Sequence, residues 1–298
     1  MINNVVKCTV APDEVKRIKA LGFLRDKTTA DKFNCRVLTR NGKITSDEAL
    51  AIAQAAEKFG NGELTFTSRL TTEIQAVPYD KVDQIVEFLG AKGLKTGGTG
   101  AKVRPIVSCK GTTCQYGLID AYKLSEEIHN RFFLAMDNVA LPHKFKIAVG
   151  GCPNSCVKPD LNDLGVVGQR NVLINMDKCR GCKVCQIVKS CPIKIATMKD
   201  GKVFVDQSLC NNCGRCLNVC PFGAFEEYET GYKITIGGRW GKKTAIGQPL
   251  SKLFASEEEV FAVIENAIKF FETEGIKGER FSDTIQRLGF EYVESKLI

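Results

Sequence analysis

The sequence predicts an α+β fold, a layered mixture of sheet and helices into which a small cysteine-rich module is inserted. Segments of helical and strand periodicity alternate through the first 170 residues, an internal repeat dense in cysteine occupies 171–230, and strand and helix patterns resume after it. A length of 298 residues fits about two domains. A balance of 44% hydrophobic to 26% charged residues excludes disorder, collagen and coiled coil.

The elements follow in order. Pro12 at the first turn and Gly22 as the stop frame a helix over Pro12–Leu21. Thr45 and Glu48 form a capping box for a helix carrying Leu50, Ile52, Ala53 and Ala56, which Gly60 ends. Leu64–Thr67 and Glu73–Val77 read as strands. They precede a helix with Val82, Ile85, Val86 and Leu89 at helical spacing. Strand Val103–Ser108, helix Ile119–Phe133 and strand Lys144–Val149 complete the first half. Beyond the repeat, Tyr232–Gly241 is strand and glycine loop. Ser256 and Glu259 then cap a helix with Val260, Ile264, Ile268 and Phe271 on one face.

Fourteen cysteines are a heavy load for a chain whose core needs no disulfides. In the repeat they run Cys179-x2-Cys182-x2-Cys185-x5-Cys191-Pro192, then Cys210-x2-Cys213-x2-Cys216-x3-Cys220-Pro221, the two leading cysteines 31 residues apart. This pattern resembles bacterial two-cluster ferredoxins, in which three closely spaced thiolates wrap one cube and the fourth comes from the other half. The resemblance implies one [4Fe-4S] cluster on Cys179, Cys182, Cys185 and Cys220, and another on Cys210, Cys213, Cys216 and Cys191. Paired structural zinc sites are the competing reading; the two interlocked sets of four, each closed by Cys-Pro, favour iron. A second constellation joins Cys109-x4-Cys114 to Gly150-Gly-Cys152-x3-Cys156. Each pair follows an expected strand end, so neighbouring strands would bring four thiolates to one site, with zinc again the alternative.

The segments around these four cysteines resemble the siroheme/iron-sulfur half-domain of the sulfite and nitrite reductases. The likeness is greatest to the short anaerobic sulfite reductases, those that form the catalytic part of the three-subunit type, and to small dissimilatory-like proteins. The supporting motifs are Phe66-Thr-Ser-Arg69, Val103-Arg104 and Leu141-Pro-His-Lys144-Phe-Lys146. The resemblance implies that Cys156 bridges a third [4Fe-4S] cluster to siroheme, and that Asn154 and Arg239 also serve the cofactor. It assigns substrate binding to Arg69, Arg104, Lys144 and Lys146. It divides the chain into an N-terminal part (1–62), a siroheme and cluster core (63–170), the inserted ferredoxin domain (171–230) and a C-terminal part (231–298). Two departures stand out. The first cysteine pair is spaced x4 where x5 is common, and Pro105 follows Arg104 where Asn is frequent.

Chemistry supports the basic set independently of the resemblance. A small oxyanion entering a protein loses its hydration shell, and charge-assisted hydrogen bonds from Arg and Lys replace it. Lys144 and Lys146, at i and i+2 on an extended segment, project to one side while Phe145 packs on the other. A solvated Lys-x-Lys edge and an arginine holding a siroheme carboxylate are the plainer alternatives. The expected activity is six-electron reduction of sulfite to sulfide, electrons entering through the ferredoxin clusters. Reduction of nitrite to ammonia and a purely electron-transferring role are the rival readings. No G-x-G-x-x-G fingerprint follows a strand, so the donor is expected to be a separate polypeptide with flavin or iron-sulfur groups. One half-domain leaves a pocket wall missing, which points to a homo-oligomer or partner complex. The net charge of +8 balances three clusters of about −2 each and the siroheme carboxylates, so nucleic acid is not expected. No apolar run reaches the length of a membrane span and no signal segment is evident, so a cytoplasmic protein is expected. Cys8, Cys35, His129 and His143 are read as non-catalytic.

Overall fold

A computed structural model describes residues 6–298. The first unit is a four-stranded antiparallel sheet of order β1-β2-β4-β3, built from β1 (Phe23–Arg25), β2 (Lys32–Val37), β3 (Leu64–Phe66) and β4 (Thr72–Pro78). Helices α1 (Pro12–Ala20), α2 (Ser46–Phe59) and α3 (Val82–Gly90) accompany it. Strand β2 buries alternate residues Phe33, Cys35 and Val37. These pack with Ile52, Ala55 and Phe59 of α2 and Ile85 and Leu89 of α3 in one core. The capping box of α2 forms as its sequence dictates, with Glu48 N–H donating to Thr45 Oγ1 at 3.2 Å and Thr45 N–H to Glu48 Oε2 at 2.7 Å. The boundary read at residue 62 falls between α2 and β3, inside this unit.

The second unit is a five-stranded mixed sheet of order β11-β10-β7-β6-β5. Its strands are β5 (Val107–Ser108), β6 (Ile147–Gly150), β7 (Leu164–Ile174), β10 (Phe225–Ile236) and β11 (Gln248–Pro249). Strands β5, β6 and β7 run parallel, and β10 returns antiparallel along the full length of β7. Helices α4 (Ala121–Ile128), α6 (Glu257–Glu274), α7 (Phe281–Leu288) and α8 (Phe290–Leu297) contribute to the larger core, where Phe145 meets Phe281 and Phe271 at ring distances of 5.2 and 5.9 Å. The cysteine module hangs from the outer end of the β7–β10 hairpin. It carries α5 (Gln186–Ser190) and a two-stranded ribbon of β8 (Ala196–Lys199) and β9 (Lys202–Val205), over a small core of Ile187, Ala196, Val203, Ala224 and Phe225.

Three expected elements differ. The strand expected over Val103–Ser108 is regular only at its end, because Pro105 has no N–H to continue a ladder. Before it, Arg104 N–H donates to Phe145 O at 2.8 Å and Phe145 N–H to Lys102 O at 3.0 Å. The strand expected from Lys144 starts at Ile147. The helix expected over Ile119–Phe133 begins after Asp120, whose carboxylate accepts from Lys123 N–H, and changes at His129 into a wider π turn reaching Leu134.

Candidate functional site

The four basic residues expected at the substrate meet around one cavity of about 190 Å³, lined by Arg36, Arg69, Thr71, Gly98, Arg104, Pro105, Lys144 and Lys146. No acidic side chain lines it. Arg69 and Thr71 come from the β3–β4 loop, Arg104 and Pro105 from the approach to β5, and the lysines from the approach to β6. Phe145 between the lysines is fully buried in the aromatic core, and this turns both ammonium groups the other way. Arg36 was missed by sequence reasoning. The available signal was the alternation of β2, which buries Cys35 and Val37 and leaves Arg36 on the opposite face.

Concentrated positive charge perturbs these groups. Burial, then the neighbouring Arg69, Arg280 and Lys144, push Lys146 down to about 8. Burial and Arg280 lower Lys144 in the same direction. Arg69 is half-buried and pushed down to about 10, chiefly by desolvation. Its guanidinium donates to Pro105 O, to Ile147 O at 3.0 Å and to Asn162 Oδ1 at 2.9 Å. Arg104 donates to Gly98 O. Arg36 pairs with Glu73, Nε to Oε1 at 3.0 Å.

The second cysteine set forms at the carboxyl ends of the parallel strands β5 and β6. Gly111 and Gly151 permit it: a Cβ on Gly151 would stand 2.6 Å from Gly111 Cα, so the two cysteine loops touch through bare backbone. Gly151 N–H donates to Cys109 Sγ at 3.1 Å. Burial raises the Cys152 thiol, and Cys109, Cys156 and Cys114 lie near enough to raise it further. Cys156 is exposed.

In the inserted module, burial pushes Cys216 up to about 11, with Cys213, Cys210 and Cys191 adding to the effect. Cys191 from the first half of the repeat therefore sits with the second half. Cys179, Cys185 and Cys220 pack on the module's small core. Among the described residues no three His, Cys, Asp or Glu side chains converge as a single metal ion requires. What the structure does bring together is thiolate chemistry of the kind iron-sulfur cubes use: Cys109, Cys114, Cys152 and Cys156 as one set, and Cys191 with Cys210, Cys213 and Cys216 as another.

The module docks on the second cysteine set. Arg170 N–H donates to Asn212 O at 2.8 Å, and the Arg215 guanidinium lies 4.5 Å over the Tyr116 ring. Between them a cavity of about 330 Å³ is lined by Tyr116, Cys152, Asn154, Arg170, Cys213 and Arg215, among others. Asn154 thus lies beside Cys152. Arg239 lies elsewhere, in a cavity of about 380 Å³ with Lys243 and Ser282, where Asp283 holds it at 3.0 Å. His143 Nδ1 accepts from Lys144 N–H at 2.8 Å, His129 is buried and pushed down to about 4, and Cys35 is buried with its thiol raised.

The nitrite and sulphite reductase 4Fe-4S domain matches residues 99–297, and the ferredoxin-like half domain of the same enzymes matches residues 25–92. The chain belongs to the nitrite and sulfite reductase family. Within that family it is 31% identical over 252 residues, 84% of its length, to the coenzyme F420-dependent sulfite reductase of Methanocaldococcus jannaschii, and spans 39% of that protein. It is 28% identical to the third of the lettered polypeptides of the anaerobic sulfite reductase of Salmonella typhimurium, covering 77% of this chain and 72% of that one. The crystal structure of dissimilatory sulfite reductase I shares its fold, with a TM-score of 0.71 at 23% identity over 89% of this chain and 69% of that one. No helix of the described residues is long and apolar enough to cross a membrane.

Proposed function

We propose that this chain is the catalytic unit of a siroheme-dependent sulfite reductase, taking sulfite to sulfide with six electrons and releasing its three oxygens as water. The observation that carries this reading is the cavity walled by five cationic side chains with no lining acid. Such a surface replaces the hydration of a small dianion and rejects neutral molecules. Strand β6 ties this cavity to the cysteine chemistry: the lysines precede it, and Gly151 and Cys152 follow it.

Cys109, Cys114, Cys152 and Cys156 would hold one [4Fe-4S] cluster, Cys191, Cys210, Cys213 and Cys216 a second, and Cys179, Cys182, Cys185 and Cys220 a third. The exposed Cys156 would be the thiolate open to siroheme, with Asn154 beside Cys152 in the same loop; Arg239 would need to exchange its Asp283 partner to reach a cofactor carboxylate. When bound, the clusters and siroheme supply one-electron carriage and an iron atom for the substrate. The chain's own residues supply the rest. Arg36, Arg69 and Arg104 fix the anion by charge-assisted donors, and Lys144 and Lys146 are the proton-bearing groups. Lys146, pushed down to about 8, gives up a proton far more readily than an ordinary lysine. Electrons are expected from a separate donor protein, and residues 171–230 would act as its entry module.

Anaerobically prepared holoprotein tests the reading. We expect about twelve cluster irons plus one in heme, counting three cubes, a chlorin-type band in the red, and sulfide formed from sulfite with a reduced viologen donor. Zinc in place of iron, or a brown iron-sulfur spectrum with no heme band, would overturn it. A higher kcat/KM for nitrite, with ammonia as product, would reassign the substrate.

A further inference from the structure

The cations of the anion cavity repel one another, yet no acid lines it, so something behind the wall must hold them in place. Two adjacent residues before β7 do this, Asn162 on Arg69 and Asp163 on the backbone of Lys146. Asn162, 7% exposed, accepts from Arg69 Nη1 at 2.9 Å through Oδ1 and donates through Nδ2 to Lys158 O at 3.0 Å. Asp163, with no exposed surface, accepts from Lys146 N–H at 2.9 Å and from Arg280 Nη2 at 2.8 and 2.9 Å. The next residue completes the clamp: Leu164 N–H donates to Lys146 O at 3.1 Å. Both backbone groups of Lys146 are thereby held by Asp163 and Leu164. Asp163 is itself tied down, since Gly237 N–H donates to its backbone O at 2.9 Å.

We propose that Asn162 and Asp163, with Arg280, are positioning residues that set the separation of Arg69 and Lys146 across the anion cavity. Burying an ion pair seldom stabilises a fold more than well-packed apolar residues of similar volume would. Asp163 and Arg280 are 0% and 5% exposed in their side chains, and this pair is where such an arrangement needs a purpose beyond stability. Geometry supplies one. Binding of a small oxyanion between two cations depends on their spacing, and in a catalytic site a misplacement of about 1 Å can cost roughly 100-fold in rate.

The inference rests on the cavity being the anion site, so the test uses sulfate, an oxyanion whose binding does not depend on turnover. Sulfate dissociation constants are measured by calorimetry on full-length holoprotein and its variants, with thermal midpoint and iron content alongside. Asn162→Ala, and a double variant Asp163→Leu with Arg280→Met that removes the buried charges together, are expected to keep midpoint and iron but weaken sulfate about tenfold or more. In an Arg69→Ala background, Asn162→Ala should weaken binding no further, because it acts through Arg69. Unchanged affinity in both variants overturns the positioning role, as does a full additive loss in the Arg69→Ala background. No saturable sulfate binding by the unmodified protein overturns it as well. Normal sulfate binding and the expected variant effects with no sulfite reduction would leave positioning intact and remove the reductase reading alone.

Discussion

At the scale of single residues, Lys146 is the group whose charge is most open to measurement. Burial first, and then Arg69, Arg280 and Lys144 beside it, disfavour its ammonium and push it down to about 8, below the usual lysine range. Only the charged form attracts an oxyanion. The affinity for sulfate is therefore expected to fall as pH rises through about 8, and Lys146→Arg, which stays charged, should flatten that step while keeping binding at lower pH. Calorimetry between about pH 6.5 and 9.5, bracketing that value, checks this, and an identical pH profile in the variant would exclude Lys146 as the titrating group. Its effect on stability has the opposite sense. Between about pH 8 and the ordinary lysine value of ~10.4 the unfolded chain holds the extra proton, so this residue's contribution to stability rises with pH across that window. The lysines were legible in the sequence because they flank a phenylalanine at i and i+2. Arg36 was not, since a lone arginine on an amphipathic strand looks like any solvated position until the fold sets Arg69 and Arg104 beside it.

At the scale of elements, local signals were read well where the chemistry is local. Both capping boxes, Thr45 with Glu48 and Ser256 with Glu259, start helices where their spacing says they should. The π turn after Ile128 was invisible because apolar residues continue through it at near-helical spacing. The truncated β5 is a matter of one imino acid, Pro105. The contact between the two cysteine loops could not be read from spacing alone, since it depends on β5 and β6 being parallel neighbours. It does have a test. Gly151→Ala would place a methyl group 2.6 Å from Gly111 Cα, where backbone must move because no flexible side chain stands in the way. The two loops should separate and the second cysteine set should lose its cube. Iron is expected to fall by about a third, the share of one cube in three, with the ferredoxin-like module retaining its own. A full iron complement with an unchanged spectrum would show that the close approach is not needed to hold that cluster.

At the scale of the whole molecule, the chain carries one ferredoxin-like half domain and one 4Fe-4S domain. All five cavity cations and all four cysteines of the second set lie on this single copy. The sulfur expected to face siroheme, Cys156, is exposed. Large apolar side chains also stand out of the surface: Phe66 is 80% exposed at the end of the strand leading to Arg69, and Trp240 is 62% exposed next to Arg239. Together with the single copy of the half-domain, these exposed apolar side chains are what a covering polypeptide would bury. A second copy about a two-fold axis would supply that cover, and because the contact is isologous it would build two equivalent sites at once. Each site would then draw its cysteine thiolate from one chain and part of its basic set from the other. Mixing a Cys156→Ser chain with an Arg69→Ala chain tests this arrangement, since each variant alone is expected to be inactive. If sites are shared between chains, a heterodimer contains one site with both residues intact, and the mixture should regain a fraction of wild-type sulfite reduction that rises with the heterodimer population. If exchange of chains is demonstrated by mass and activity stays at the level of the separate variants, each chain completes its own pocket, and the exposed apolar side chains meet a different polypeptide instead.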